Sequence, residues 1–339
     1  MAPAAEVVCT DRDDGLREPR SRTLVRMAAP REDRLPPARV LSHLAVMAAV
    51  AAVLGVVVAG LAIPFAGVLG MGAKSLADTM DQLPEELETE ALPQRTTMVD
   101  ADGDPIATLY DQNRINVRLT QVSRIMVKAI VAIEDDRFYE HGALDIKGTL
   151  RAFITNQAND GVVQGGSSIS QQVVKMTLLQ QADTKAEQRA ATDDSYARKL
   201  RELRYAIALE ERYSKDWILE RYLNIAYFGD GAYGIQAAAK HYFNVNAKQL
   251  KLRQAAMLAG LVKSPDALAP TTNRDRALDR CNVVLDRMAE LNVITRERAS
   301  KVKERPLGLD VQTNENGCVD SSAPFFCDYV VRYLLADRS

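Results

Sequence analysis

Histidine and tryptophan are scarce in this chain of 339 residues, with three His and one Trp. The four cysteines lie far from one another and from His43, His141 and His241, apart from the pair at 318 and 327. No His/Cys set has the close spacing of a zinc site. A basic excess is missing too: 43 Lys and Arg stand against 45 Asp and Glu, for a net charge of −2. That removes the electrostatic footprint of a general nucleic-acid binder. Apolar residues are not in short supply, at 47% with 26% charged, which excludes a wholly disordered, collagen-like or disulfide-scaffold protein. The length allows two domains, or one domain with a sizeable appendage.

Charge is itself absent from one long stretch. Val40 to Ala73 contains 34 consecutive residues without Asp, Glu, Lys or Arg. A hydrocarbon core of ~30 Å needs about 20 apolar residues, so residues 41–72 are predicted to form one transmembrane helix. Arg17, Arg20, Arg22, Arg26, Arg31, Arg34 and Arg39 precede it; after Lys74 come Asp78, Asp81, Glu85, Glu86, Glu88 and Glu90. The basic flank belongs inside, which places residues 1–40 in the cytoplasm and the rest of the chain outside it. A cleaved signal peptide fits less well, because the apolar run is long and starts late. Residues 1–40 lack apolar periodicity and read as a disordered tail. Cys318 and Cys327 fall in NENGCVDSSAPFFC, beyond the membrane. They either bridge, as that compartment permits, or remain two free thiols.

Residues 73–96 are acidic and contain two prolines, suggesting a stalk. TTMVDADGDPIATLY predicts a hairpin turning at Asp102-Gly103, and RINVRL adds a possible strand. From about residue 121 the pattern is helical, so the outer region is predicted to be mainly α with a short β element at its start. Ser167 is the expected N-cap of a helix following Gly165-Gly166. GDGAYG (229–234) matches a dinucleotide fingerprint in letters only, since a helix and not a strand precedes it. Ser300 to Lys303 matches SxxK within a charged helix, without the companion motifs of penicillin-reactive enzymes.

Three blocks carry chemistry. In AIEDDRFYEHGALD (132–145), Glu134 ends a largely apolar helix. An apolar surface disfavours the ionised carboxylate and raises its pKa, which suits a general base; the alternative is a solvated helix end. In RKLRELRYAIALEERY, Arg198 and Lys199 share a helical face with Glu202. Two cations hold that carboxylate ionised, fitting charge positioning or metal binding, or else a surface ion pair. In GGSSISQQVVKM, Ser167, Ser168, Gln171 and Lys175 combine hydroxyls, an amide and an ammonium at a helix N-terminus. Such a set suits a phosphate-bearing ligand, with ordinary capping as the alternative.

Together and in order, the blocks resemble the peptidoglycan glycosyltransferase family, glycosyltransferase family 51, the polymerase module of class A penicillin-binding proteins. The first motif is matched by Glu134, Asp135, Phe138 and His141, and the second by Gly166, Ser168, Gln171, Gln172 and Lys175. Arg198, Lys199 and Glu202, followed by ILERYLN ending at Asn224, match the third. AGLVKSP at 259–265 is a further match, and the likeness covers roughly 95–305. Ala143 and Met176 depart from the family pattern, which has Gly and Asn there.

The resemblance implies a lysozyme-like domain over 97–305 with a small membrane-facing jaw, then the start of a linker (306–339) towards a transpeptidase domain. It implies Glu134 as base and Glu202 as the second catalytic acid, the latter with a possible Mg²⁺ and no organic cofactor. Asp135, Phe138, His141, Arg151, Ser167, Ser168, Gln171, Gln172, Lys175, Arg198, Lys199 and Asn224 are implied to contact substrate. The implied partners are lipid II, a glycan on a polyprenyl pyrophosphate, the bacterial membrane, and cell-wall synthesis or division proteins, with no nucleic acid. Two rivals remain: a lysozyme-like hydrolase, which has no use for a phosphate-facing cluster, and a non-catalytic scaffold, in which two retained glutamates have no purpose.

Overall fold

The computed structural model describes residues 41–52, 87–145, 167–193, 195–313 and 315–336. The chain divides into two units, Met1–Ala73 and Lys74–Ser339. Of the first, residues 41–52 are helical. The tail 1–40, the rest of the predicted span to 72, and the stalk up to 86 lie outside the described residues. Among the described residues no helix is long and apolar enough to cross a membrane.

The second unit is mainly helical. It opens with β1 (Thr96–Val99) and β2 (Pro105–Leu109), an antiparallel hairpin with a bulge between Met98 and Val99. The Asp100 carboxylate accepts from the backbone N–H groups of Asp102 and Asp104, closing the turn around Gly103. The predicted RINVRL strand is reduced to β3 (Asn113–Arg114). It does not extend the hairpin but pairs in parallel with β4 (Ala232–Tyr233). The reason is Arg114, a buried side chain that donates to the carbonyls of Asn224 and Pro93 and lies over the Tyr233 ring. That anchoring turns the chain inward after two residue pairs. Residues 87–95, expected as part of a stalk, run along the domain instead: Leu87 and Leu92 are buried and Thr89 bonds the Tyr213 hydroxyl.

The helices are α1 (Arg124–Glu134), α2 (Ile169–Gln180), α3 (Lys185–Thr192), α4 (Tyr196–Arg212) and α5 (Lys215–Ile225). After β4 follow α6 (Ile235–Phe243), α7 (Leu252–Leu261), α8 (Pro265–Leu268), α9 (Arg274–Glu290), α10 (Arg296–Lys303) and α11 (Pro324–Ala336). Side-chain oxygens of Ser123, Ser168, Thr184, Ser195, Ser214 and Thr295 cap six of them by accepting a first-turn N–H. α7 is enclosed by α1 and α9 and buries nearly every position. Its small residues make this possible: a Cβ at Gly260 would lie 2.9 Å from Cγ of Arg280, so only glycine lets that side chain cross α7. α2 packs on α4 and α5, and the two helical groups meet around the C-terminal end of α1.

Beyond α10 the chain straps back over the domain. Asp310 N–H donates to Tyr242, Gln312 N–H donates to His241, and Gly317 bridges Thr108 of β2. The Asn316 amide makes two bonds to the backbone of Tyr110. Cys318 and Cys327 are joined, with Cα atoms 5.5 Å apart, and Cys281 is free and buried.

Candidate active site

α1 delivers Glu134 on its last turn. Ser123 starts the helix by accepting from Met126 N–H at 3.2 Å, and Met126, Ala129 and Ile130 bury its apolar face. Glu134 ends up half-buried. Burial raises its carboxyl above the ordinary carboxylate value, and the nearby charge of Asp135 adds slightly. A hydrogen bond from Gln172 and the charges of Arg280 and Lys263 act in the opposite direction without cancelling the rise. The Gln172 amide donates to Glu134 Oε2 at 2.9 Å, and the Tyr222 hydroxyl donates to Gln172 Oε1 at 3.2 Å.

The rest of the first motif is occupied with architecture. Asp135 Oδ1 pairs with His141 Nε2 at 2.6 Å, and its Oδ2 accepts the Ile169 N–H at 3.1 Å. A carboxylate there also complements the positive end of α2. Phe138 is fully buried under the Lys215 ammonium, 4.5 Å from its ring centre. The Ser168 hydroxyl donates to the Ala143 carbonyl at 2.8 Å. The loop after Glu134 is thus latched onto the start of α2.

The N-cap of α2 is Ser168, not Ser167 as expected. A capping box needs Gln or Glu three residues on; from Ser168 that residue is Gln171, whereas from Ser167 it is Ser170. Gln171 Oε1 accepts the Ser168 N–H, so its amide serves the cap, while the Ser167 hydroxyl accepts from Lys199 Nζ at 2.8 Å.

Lys199 is one of two cations on Glu202. Arg198 Nη1 donates to Oε1, and Lys199 Nζ lies 3.3 Å from Oε2. Glu202 and Arg198 are only 2% and 6% exposed, and Arg198 also donates to the Asp193 carbonyl. The Glu134 and Glu202 assemblies therefore both attach to the first turns of α2, at Gln172 and at Ser167. Lys175, one turn after Gln171, is half-buried and forms no ion pair with another described residue. Arg151 and Gly166 lie outside the described residues. Asn224 faces inward: its side chain bonds Val117 N–H and the carbonyls of Val117 and Glu220.

The donor set around Glu202 does not fit a divalent cation. Both its oxygens face cations, and among the described residues no acid or imidazole joins it. Asp135, His141 and Asp145 do approach one another within 4.8 Å. Their atoms are committed to each other, to Ile169 N–H and to Arg137.

Tyr222, Lys263 and Arg280 escaped the sequence reading as site residues. The first two lie within quoted stretches, ILERYLN and AGLVKSP, but Arg280 had no local signal.

The family model described as Transglycosylase matches residues 102–289, more than half of the chain. Penicillin-binding protein 1F of Bacillus subtilis is 37% identical over 233 residues, 69% of this chain and 30% of that protein. Penicillin-binding protein 1A of Escherichia coli is 36% identical over 230 residues, 68% of this chain and 25% of that protein. A crystal structure of penicillin-binding protein 1A from Haemophilus influenzae aligns with 74% of this chain and 25% of its own, at 21% identity and a TM-score of 0.40. The chain therefore spans less than a third of the length of these relatives.

Proposed function

The chain belongs to the transglycosylase family, the glycosyltransferase module of class A penicillin-binding proteins, and from that premise we propose that it polymerises lipid II into glycan strands. The donor is a glycan on a polyprenyl pyrophosphate and the acceptor is lipid II. Glu134 takes the proton of the acceptor's 4-hydroxyl. The freed oxygen bonds to the donor's anomeric carbon as the bond from that carbon to the pyrophosphate oxygen breaks, inverting the centre. The leaving pyrophosphate needs charge stabilisation more than a proton. Lys175 of α2 and Lys199 and Arg198 of α4 supply it, and Arg151 is assigned the same role by the family resemblance alone. Glu202 holds Arg198 and Lys199 in place. No step uses a metal.

The observation that carries this reading is a desolvated carboxylate, Glu134, beside a helix whose preceding serine meets a cation held by a second, buried carboxylate. A hydrolase has no use for the second half of that arrangement. The family's lysozyme-like fold and membrane-facing jaw belong to the same proposal, with α3 as part of the jaw. So does a single N-terminal span over 41–72 in a bacterial membrane, which brings the enzyme to lipid-bound substrates. The glycosyltransferase domain would then run from 97 to 305.

The test supplies lipid II to the detergent-solubilised protein and asks for polymer, cleavage of added glycan, or neither. Polymer is expected. Glu134→Gln should reduce its formation by ~10²–10⁴, the usual worth of a general base. A variant polymerising at the parent rate would remove Glu134 from that role.

A further inference from the structure

Tyr222 lies on α5 and is fully buried. Its hydroxyl donates to Oε1 of Gln172, whose amide nitrogen donates to Glu134 Oε2. A primary amide has one accepting end and one donating end. The tyrosine, by donating to the accepting end, directs the donating end at the carboxylate. A flipped amide would press its carbonyl oxygen against Glu134. Glu134 Oε1 has no hydrogen-bond partner among the described residues.

We propose that Tyr222 is a positioning residue for the transfer reaction: through Gln172 it fixes Glu134 so that Oε1 stays clear to receive the acceptor proton. This rests on Glu134 being the base. The groups acting on Glu134 are otherwise Arg280 and Lys263, which favour its charge, and Asp135, which opposes it. Burial and the Glu134 charge keep the Tyr222 hydroxyl protonated, raising it well above the ordinary tyrosine value. It therefore remains a donor across the working range.

Tyr222→Phe keeps the ring and removes only the donor. With lipid II as substrate, kcat should fall about tenfold, the size expected when a hydrogen bond to a charged group is weakened, while KM stays level. The acidic limb of the pH–rate profile should move to higher pH, because the Gln172 bond that favours ionised Glu134 is loosened. Adding Tyr222→Phe to Gln172→Met should change nothing further, since the hydroxyl acts through the amide. An isosteric replacement that keeps the fold, 3-fluorotyrosine at 222, strengthens the donor and should move the limb to lower pH. Additive effects in the double variant, or a lowered melting temperature with an unmoved limb, would overturn the proposal. Glu134→Gln run alongside separates the two ideas. Parent activity there sinks the base assignment, whereas its loss together with an unaltered Tyr222→Phe profile sinks only the role of Tyr222.

Discussion

Glu134 and Glu202 occupy opposite electrostatic surroundings, and their removal should move stability in opposite directions. The folded chain holds the Glu134 proton at pH values where the unfolded chain has released it, because burial raises the folded carboxyl. As pH rises from the unfolded value through the raised folded value, the fold loses stability, and above that window the full penalty applies. Glu134→Gln should thus melt at a higher temperature than the parent at pH 8. The gain should vanish as pH falls to about 4, near the unfolded carboxylate value. A lower melting point at pH 8 would mean that desolvation does not dominate at this site. Glu202→Gln instead leaves Arg198, 6% exposed, without its counter-charge. Breaking a buried pair by removing one partner costs about 3–5 kcal/mol, so urea midpoints for this variant should fall well below the parent. An unchanged midpoint would show that the guanidinium is satisfied by its other contacts, the Asp193 carbonyl among them.

Helix α2 shows what local sequence can and cannot say. Its start was legible, but the cap was expected one residue early at Ser167, although the distance from Ser168 to Gln171 is itself a capping-box spacing. Ser168→Ala should cost about 1 kcal/mol for the cap and release the loop at Ala143. Ser167→Ala should leave stability within about 0.5 kcal/mol while lowering turnover through Lys199. Chemical denaturation and initial rates on lipid II separate the two. The carboxylates were visible for a similar reason: Glu134 follows an apolar helix and Glu202 has both cations within one turn. What stayed hidden depends on pairing across the chain. Nothing near Arg114 announces a strand partner at 232–233, and nothing in ILERYLN says that Asn224 holds Val117 while Tyr222 reaches α2. The loop between α5 and α6 was legible only as a rejected nucleotide motif. Its glycines answer a geometric need: at Gly234 φ is +77° and a Cβ would meet the Asn224 carbonyl at 2.8 Å. Gly234→Ala should therefore unfold the domain at lower denaturant than Gly231→Ala. The latter has φ +73° but open space around it, and costs only the left-handed strain of ~1–2 kcal/mol. Equal losses would mean that the close approach to Asn224 is relieved by small shifts.

At the scale of the whole molecule, two expectations concern compartment. With an N-terminus inside and the domain outside, a reporter active only in the cytoplasm should be silent when fused after Ser339. A strong signal there would reverse the proposed topology. Cys318 and Cys327 should resist alkylation in denatured protein isolated from cells until a reductant is added, while Cys281 labels on denaturation alone. The strap they belong to has a mechanical consequence. Residues 310–317 are bonded side by side to Tyr242, His241, Thr108 and Tyr110, and the disulfide closes the chain immediately beyond. A pull on the C-terminal helix α11 would reach these contacts together, in shear, and pass into the hairpin and α6. Tension from anything tethered to that end would be borne by a part of the domain that holds neither glutamate, leaving α2 and its proton-transfer geometry unloaded while the strap stays attached.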